Sequence, residues 1–210
     1  MNGTIYLLGG GEIKNDDTQL IDQDILSLAP KGSNFVFFGS AAQDSTAYAD
    51  TIRSVYGDNY TVVVPTEAKG KDFAVDAIRS AAVIYLGGGN TELLLRLFDR
   101  WSLVDHLRAA VDGGTHVAGM SAGAQALSAW YIHEDNDIFE LRKGWGIIPY
   151  GILVHAKPTS FDKAKLLLSD QGMPDAYPFV AIEEKAALRV SGVEVNEIGS
   201  GSIWTIAARA

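Results

Sequence analysis

The sequence predicts an α/β fold, a three-layer α/β/α sandwich built on a mostly parallel sheet with a partly antiparallel C-terminal edge. Three observations predict it. Short apolar runs rich in β-branched and aromatic residues end in glycine, stretches of helical period lie between them, and after about residue 138 this alternation gives way to closely spaced apolar runs.

Taken in order, Ile5–Leu8 before Gly9–Gly11, Phe35–Phe38 before Gly39 and Val83–Leu86 before Gly87–Gly89 read as buried strands feeding tight turns. Val62–Val64 before Pro65 and His116–Ala118 before Gly119 add two more. Between them, Ile21, Ile25 and Leu28 suit one helix, Tyr48, Ile52 and Val55 a second, and Leu93, Leu94, Leu97 and Phe98 a third, with Leu103–Val111 also helical. A helix-compatible run follows at Ala124–Trp130. The C-terminal third offers strands at Ile152–Val154, Phe179–Ile182, Ala187–Val190, Val193–Ile198 and Ser202–Ile206, a helix around Phe161–Leu168 and a loop at Gly172–Pro178. These runs read as the far edge of the same sheet.

The 210 residues fit one domain with a single core, and no linker, repeat or low-complexity tract divides residues 1–210. An apolar fraction of 47% with 20% charged residues is that of an ordinary globular chain. The formal net charge of −9 opposes a nucleic-acid partner, because lysine and arginine are scattered singly and form no basic stripe. No apolar run approaches membrane-spanning length and no signal-peptide pattern opens the chain, so no membrane partner and a cytoplasmic location are the expectation. With no cysteine, thiol nucleophiles, thiolate metal ligands and disulfides are excluded.

Open α/β sheets bind ligands outside the carboxyl ends of their strands, so the glycine turns there are the place to look for chemistry. Gly119-Met120-Ser121-Ala122-Gly123 fits G-x-S-x-G between a strand and a helix. Such an elbow holds the Ser121 hydroxyl over the sheet edge and leaves the Ala122 N–H free to stabilise developing negative charge. The bland alternative is that Ser121 only caps a helix. A serine needs a base, and of the four histidines His155 alone ends a strand on the working edge. His106 reads as a helix-surface residue, His116 as a strand start and His133 as part of a solvated loop, His133-Glu134-Asp135-Asn136-Asp137. Gly87-Gly88-Gly89-Asn90-Thr91 offers a run of unobstructed N–H groups for an anion or oxyanion, or a plain turn in which Asn90 or Thr91 caps the next helix. Carboxylates able to orient the histidine lie in Glu183-Glu184 and in the loop with Asp135 and Asp137.

In this combination and order, spanning most of the chain, these motifs together with Ile182-Glu183-Glu184 before Ala187-Leu188 resemble the peptidase E and cyanophycinase family of serine peptidases. The resemblance implies a sandwich of the class I glutamine amidotransferase type, with serine in place of cysteine. It implies Ser121 as nucleophile, His155 as general base, Gly88 and Ala122 as oxyanion donors, and Glu184 as the family's glutamate. Asn136-Asp137 resembles an Asn-Asp pair of peptidase E, which keeps Asp137 as a second carboxylate candidate beside Glu183 and Asp135. Peptidase E removes an N-terminal aspartate from dipeptides and cyanophycinase cleaves β-aspartyl-arginine linkages, so an acidic substrate is implied. This sequence departs from the family after the histidine. Ala156-Lys157-Pro158 follows, and Ser160-Phe161-Asp162-Lys163-Ala164-Lys165 stands where an arginine-bearing segment is expected.

The resulting expectation is a serine exopeptidase of short peptides, free of metal and cofactor, working through an acyl-enzyme. Gly89, Asn90 and Lys157 would contact a small peptide substrate, with Lys163 and Lys165 as further cations. A monomer or homodimer fits equally. The competing expectations are a non-catalytic binding module holding a small anion at Gly87–Asn90, and an esterase using the same three groups.

Overall fold

The computed structural model describes residues 1–136, 138–171 and 177–206. Strands β1 (Thr4–Leu8), β2 (Asn34–Phe38), β3 (Thr61–Val63), β4 (Ala81–Leu86) and β5 (His116–Met120) alternate with helices α1 (Gln19–Leu26), α2 (Thr46–Tyr56), α3 (Gly70–Ser80), α4 (Thr91–Trp101) and α5 (Leu103–Gly113). After β5 come α6 (Ala122–Leu127), β6 (Ser128–Asp135), β7 (Ile138–Lys143), β8 (Ile148–Leu153), α7 (Pro158–Gln171), β9 (Phe179–Ile182), β10 (Ala186–Ser191), β11 (Glu194–Gly199) and β12 (Ile203–Ile206).

The α/β architecture with helices on both sides is the one the sequence predicts. A seven-stranded sheet runs in the order β11-β10-β1-β5-β4-β2-β3. Its five N-terminal strands are parallel, and β10 and β11 close one edge antiparallel. Strand alternation sorts the side chains into two layers. Ile5, Leu7, Val36, Phe38, Ile84, Leu86 and Val117 pack with Ile78, Leu94, Phe98, Leu103 and Leu107 on one face, while Tyr6, Leu8, Phe35, Phe37, Val83, Tyr85 and Met120 meet Ile21, Ile25, Ile52 and Tyr56 on the other. Beneath the second face the buried Asp22 of α1 accepts hydrogen bonds from the hydroxyls of Thr18 and Tyr56, tying α1 to α2.

The C-terminal third departs from the expected single edge. Only β10 and β11 join the main sheet; β12-β9-β8-β6-β7 form a second, five-stranded sheet with parallel β6, β8 and β9 between antiparallel margins. One face of it continues the first core through Tyr131, Ile152, Val180 and Ile182, and the other receives Ala164 and Leu168 of α7 against Leu153, Phe179 and Ala181. Apolar run length alone does not say which sheet a strand joins, because strands buried on both faces read alike in either.

The run Ala124–Trp130 is helical only through Leu127. Ser128 Oγ donates to the Gln125 carbonyl at 2.7 Å, and the aromatic and β-branched residues Trp130, Tyr131 and Ile132 then pair as a strand. His133 and Glu134 are likewise paired in β6, opposite Glu140 and Phe139, and do not form a loop. Strand β7 and helix α3 went unread in the sequence. The predicted loop at Gly172–Pro178 lies mostly outside the described residues. No helix among the described residues is long and apolar enough to cross a membrane.

The joint between the sheets is α6, whose six residues are all buried. A side chain at Gly123 would put its Cβ 2.2 Å from the Leu86 carbonyl oxygen, and one at Gly119 would lie 2.5 Å from the Gly123 carbonyl carbon. Only glycine allows this approach. Gly123→Ala is expected to destabilise the fold by about 1–3 kcal/mol through overpacking, read as a lower urea midpoint with an unchanged slope. Gly113→Ala is the control, because a Cβ there meets nothing within 4 Å.

Candidate active site

Ser121 sits at the start of α6 with φ 50° and ψ −105°, a backbone conformation rare outside glycine. It is held there from both sides: its N–H donates to the Leu8 carbonyl at 3.0 Å, and its carbonyl accepts from the Gln125 N–H at 2.9 Å. Its hydroxyl makes no capping hydrogen bond, so the bland reading of Ser121 as a helix cap fails. Instead Ser121 Oγ lies 2.7 Å from His155 Nε2. On the far side of the ring, His155 Nδ1 is 3.2 Å from Glu184 Oε1. With Nδ1–H donated to the carboxylate, Nε2 remains the acceptor facing the serine.

The histidine arrives from the second sheet. His155 follows β8 in a left-handed conformation, φ 51°, with its N–H donated to the Gly9 carbonyl at 2.9 Å. Glu184 follows β9, and the next residue anchors it: the Lys185 N–H donates to the Gly10 carbonyl at 3.0 Å, while Lys185 Nζ meets Asp17 Oδ1 at 2.7 Å. That ammonium holds the Asp17 carboxyl below its ordinary range. The turn after β1 is therefore the cradle of both residues. A Cβ on Gly10, whose φ is +146°, would stand 2.5 Å from His155 Cε1 and 2.6 Å from Nδ1. Sequence reasoning saw in Gly9–Gly11 only a strand ending; the signal, three consecutive glycines after β1, is present but does not say what approaches them.

The remaining site candidates fall as follows. Glu183 turns away, its Oε2 accepting the Ser202 N–H at 2.7 Å, and Asp135 lies at the end of β6, where it accepts from the Asn136 amide at 3.0 Å. Asp137 lies outside the described residues. Of the three carboxylates considered that lie among the described residues, Glu184 is the one the structure brings to His155. Asn90 caps α4, its Oδ1 accepting the Leu93 N–H at 3.1 Å, as the bland reading of that turn expects. A Cβ on Gly88 would be 3.6 Å from Ser121 Cβ, so the glycine turn borders Ser121. The Gly88 N–H donates to the Tyr48 hydroxyl at 3.3 Å, and that hydroxyl in turn lies 3.6 Å from Met120 Sδ. The N–H groups of Gly89 and Ala122 make no hydrogen bond among the described residues. Tyr48 belongs to α2 and was missed in the sequence. Burial pushes its phenol up to about 12, so it stays neutral.

Two clefts meet at Ser121 and His155. The larger, about 950 Å³, is polar and is lined by Glu92, Glu134, Asp135, Arg142, Lys157 and Lys163, together with Gly89 and Asn90. Arg142 is already engaged, with Glu92 at 2.8 Å and Glu140 at 2.6 Å. Lys157 makes no ion pair among the described residues, whereas Lys163 lies over the Phe139 ring and Lys165 over that of Phe161. Arg142 was missed because β7 itself was. The smaller cleft, about 510 Å³, is bounded by Ile13, Ala47, Tyr48 and Met120. This arrangement can activate an alcohol and can hold an anionic group in the polar cleft, and it does so with the histidine 47% and the glutamate 59% exposed.

Comparison with known proteins gives the following. The family model described as Peptidase family S51 matches residues 5–198. The chain is similar to the "Uncharacterized peptidase YgaJ" of Bacillus subtilis (strain 168), 35% identical over 130 residues that cover 59% of this chain and 55% of that protein. It is 34% identical to Peptidase E of Haemophilus influenzae over 90 residues, 43% of this chain and 40% of that one. The chain thus spans about half the length of these curated relatives. Among solved structures, a peptidase from an acI-B1 Actinobacterium superposes with a TM-score of 0.67 at 23% identity, covering 99% of this chain and 95% of that one. This last likeness concerns the fold.

The cradle makes a prediction of its own. Gly10→Ala is expected to fold yet to slow labelling of Ser121 by a serine-directed phosphonate by about 10²-fold, because an ångström of imidazole displacement breaks the attack geometry. Circular dichroism and the labelling rate, followed by mass spectrometry, check it.

Proposed function

The chain belongs to peptidase family S51, and from that premise we propose that it is a serine peptidase cleaving short peptides that carry aspartate on the N-terminal side of the scissile bond. The observation that carries the reading is the contact of Ser121 Oγ with His155 Nε2 at 2.7 Å, on an elbow that leads directly into α6 at Ala122.

In this reading Nε2 takes the hydroxyl proton as Oγ attacks the carbonyl, and Glu184 stabilises the imidazolium through Nδ1–H. The developing oxyanion is received by the Ala122 N–H and by the Gly88–Gly89 turn. The Gly88 amide exchanges its long bond to Tyr48 for the oxyanion, and the Gly89 amide has no partner among the described residues. The imidazolium then protonates the departing amine, and a water activated by the same nitrogen releases the acid from the acyl-enzyme. Nothing in these steps calls on a metal or cofactor.

The acyl residue fits the polar cleft. A free α-ammonium group finds carboxylates there in Glu134 and Asp135, and the aspartate side chain finds the ammonium of Lys157. Arg142, with two carboxylates already bound, has less to offer a third. Lysine supplies a point charge where the family's expected arginine would supply a planar fork, which fits a looser discrimination between acidic and neutral residues.

Steady-state hydrolysis of Asp-Leu, Asn-Leu and Ala-Leu tests the proposal. Ser121→Ala is expected to lower kcat by about 10⁴–10⁶-fold with the fold retained, and activity that survives the substitution overturns the mechanism. Lys157→Ala is expected to lower kcat/KM for Asp-Leu by about tenfold and to leave Ala-Leu unchanged. An equal loss on both substrates removes Lys157 from acid recognition.

A further inference from the structure

The smaller cleft lies on the other side of the same serine and histidine, and its chemistry is different. Ile13, Ala47, Tyr48 and Met120 form its walls, and Gly10, Gly11, Gly88 and Gly89 contribute no side chains. Its two charged neighbours, Glu12 and Lys14, face each other at 3.5 Å and so leave the space without a net charge. The Tyr48 hydroxyl is already engaged within the cleft wall, accepting from the Gly88 N–H at 3.3 Å and lying 3.6 Å from Met120 Sδ.

A peptide held for attack must pass on both sides of Ser121. The residue that becomes the acyl group lies on one side and the residue that leaves with the amine on the other, while the histidine that protonates that amine stands between them. His155 borders both clefts. The polar cleft holds the carboxylates and cations that a charged acyl residue requires. The second cleft has no counterion left over for such a residue, and burying a charge there would be unfavourable.

We infer that the Ile13–Ala47–Tyr48–Met120 cleft receives an apolar side chain on the residue that follows the scissile bond, which makes the favoured substrates short peptides pairing aspartate with a large aliphatic or aromatic residue. This deepens the serine peptidase reading and rests on it. Burying an aliphatic side chain in such a space favours it over a residue that leaves the cleft wet. Ile13, Ala47 and Tyr48 come from the loop after β1 and from α2, elements that do not line the polar cleft, and Met120 ends β5.

The test compares Asp-Leu, Asp-Phe, Asp-Gly and Asp-Lys on the wild type, on Ala47→Asp and on Ala47→Trp. Ala47 is exposed on α2 and has no part in the reacting constellation, so both variants are expected to fold. The wild type is expected to favour Asp-Leu and Asp-Phe over Asp-Gly by about 10- to 100-fold in kcat/KM. Ala47→Asp should reduce that preference to within about threefold and raise Asp-Lys relative to Asp-Leu. Ala47→Trp should depress Asp-Leu and Asp-Phe while sparing Asp-Gly. A wild type that hydrolyses the panel without preference, or Ala47 variants that scale every substrate alike, overturns the assignment of this cleft and leaves the peptidase reading standing. A panel in which no peptide is hydrolysed overturns both.

Discussion

The approach of α6 to the main sheet is the constraint from which the site follows. A six-residue helix is short for its job, and it holds its place because its backbone lies against the backbone of β4 and β5, with Gly119 and Gly123 leaving room for nothing larger than hydrogen. That contact fixes the first turn of the helix, and the first turn fixes Ser121 in its strained, positive-φ conformation. Strain of this kind persists only where neighbours over-determine it, and here they do: one hydrogen bond to β1, one to the helix, and a solid floor of buried alanines.

The proposed nucleophile belongs to one sheet and the proposed base to another, yet both are referred to the same strand. The Ser121 N–H ends on Leu8, and the His155 N–H on the next residue, Gly9. Adjacent carbonyls of one chain segment thereby set the spacing of two side chains that are 34 positions apart in sequence. Glu184 is drawn in by the same device, since its neighbour Lys185 donates to Gly10. The His155–Glu184 pair is open to water in this state, and an exposed pair of this sort contributes little to stability. Its role in the proposed chemistry is orientation, which strengthens as a bound peptide excludes solvent.

Much of this was legible in the sequence, for identifiable reasons. Parallel strands buried on both faces leave uninterrupted apolar runs, so β1, β2, β4 and β5 could be read to within one or two residues at their ends, and the G-x-S-x-G turn announced itself by small residues at fixed offsets. His155 could be chosen by its place at a strand end. What could not be read depends on long-range proximity. Strand β7 alternates exposed and half-buried positions at a margin, and its Arg142 enters the polar cleft through pairing with β6. Tyr48 reads as one apolar position on a helix, although its hydroxyl ends against Gly88. The division of the C-terminal strands between two sheets is likewise a matter of partners, and strand composition is nearly blind to partners.

The tie between the first turn and the last strands also sets an order of assembly. Elbow residues up to 127 can be complete in a growing chain well before residues 182–191 exist, yet β10 must pair with β1, and Lys185 with Gly10, before the carboxylate can steady the imidazole. A chain grown only through the elbow therefore carries Ser121 without the His155–Glu184 pair that the proposed chemistry requires.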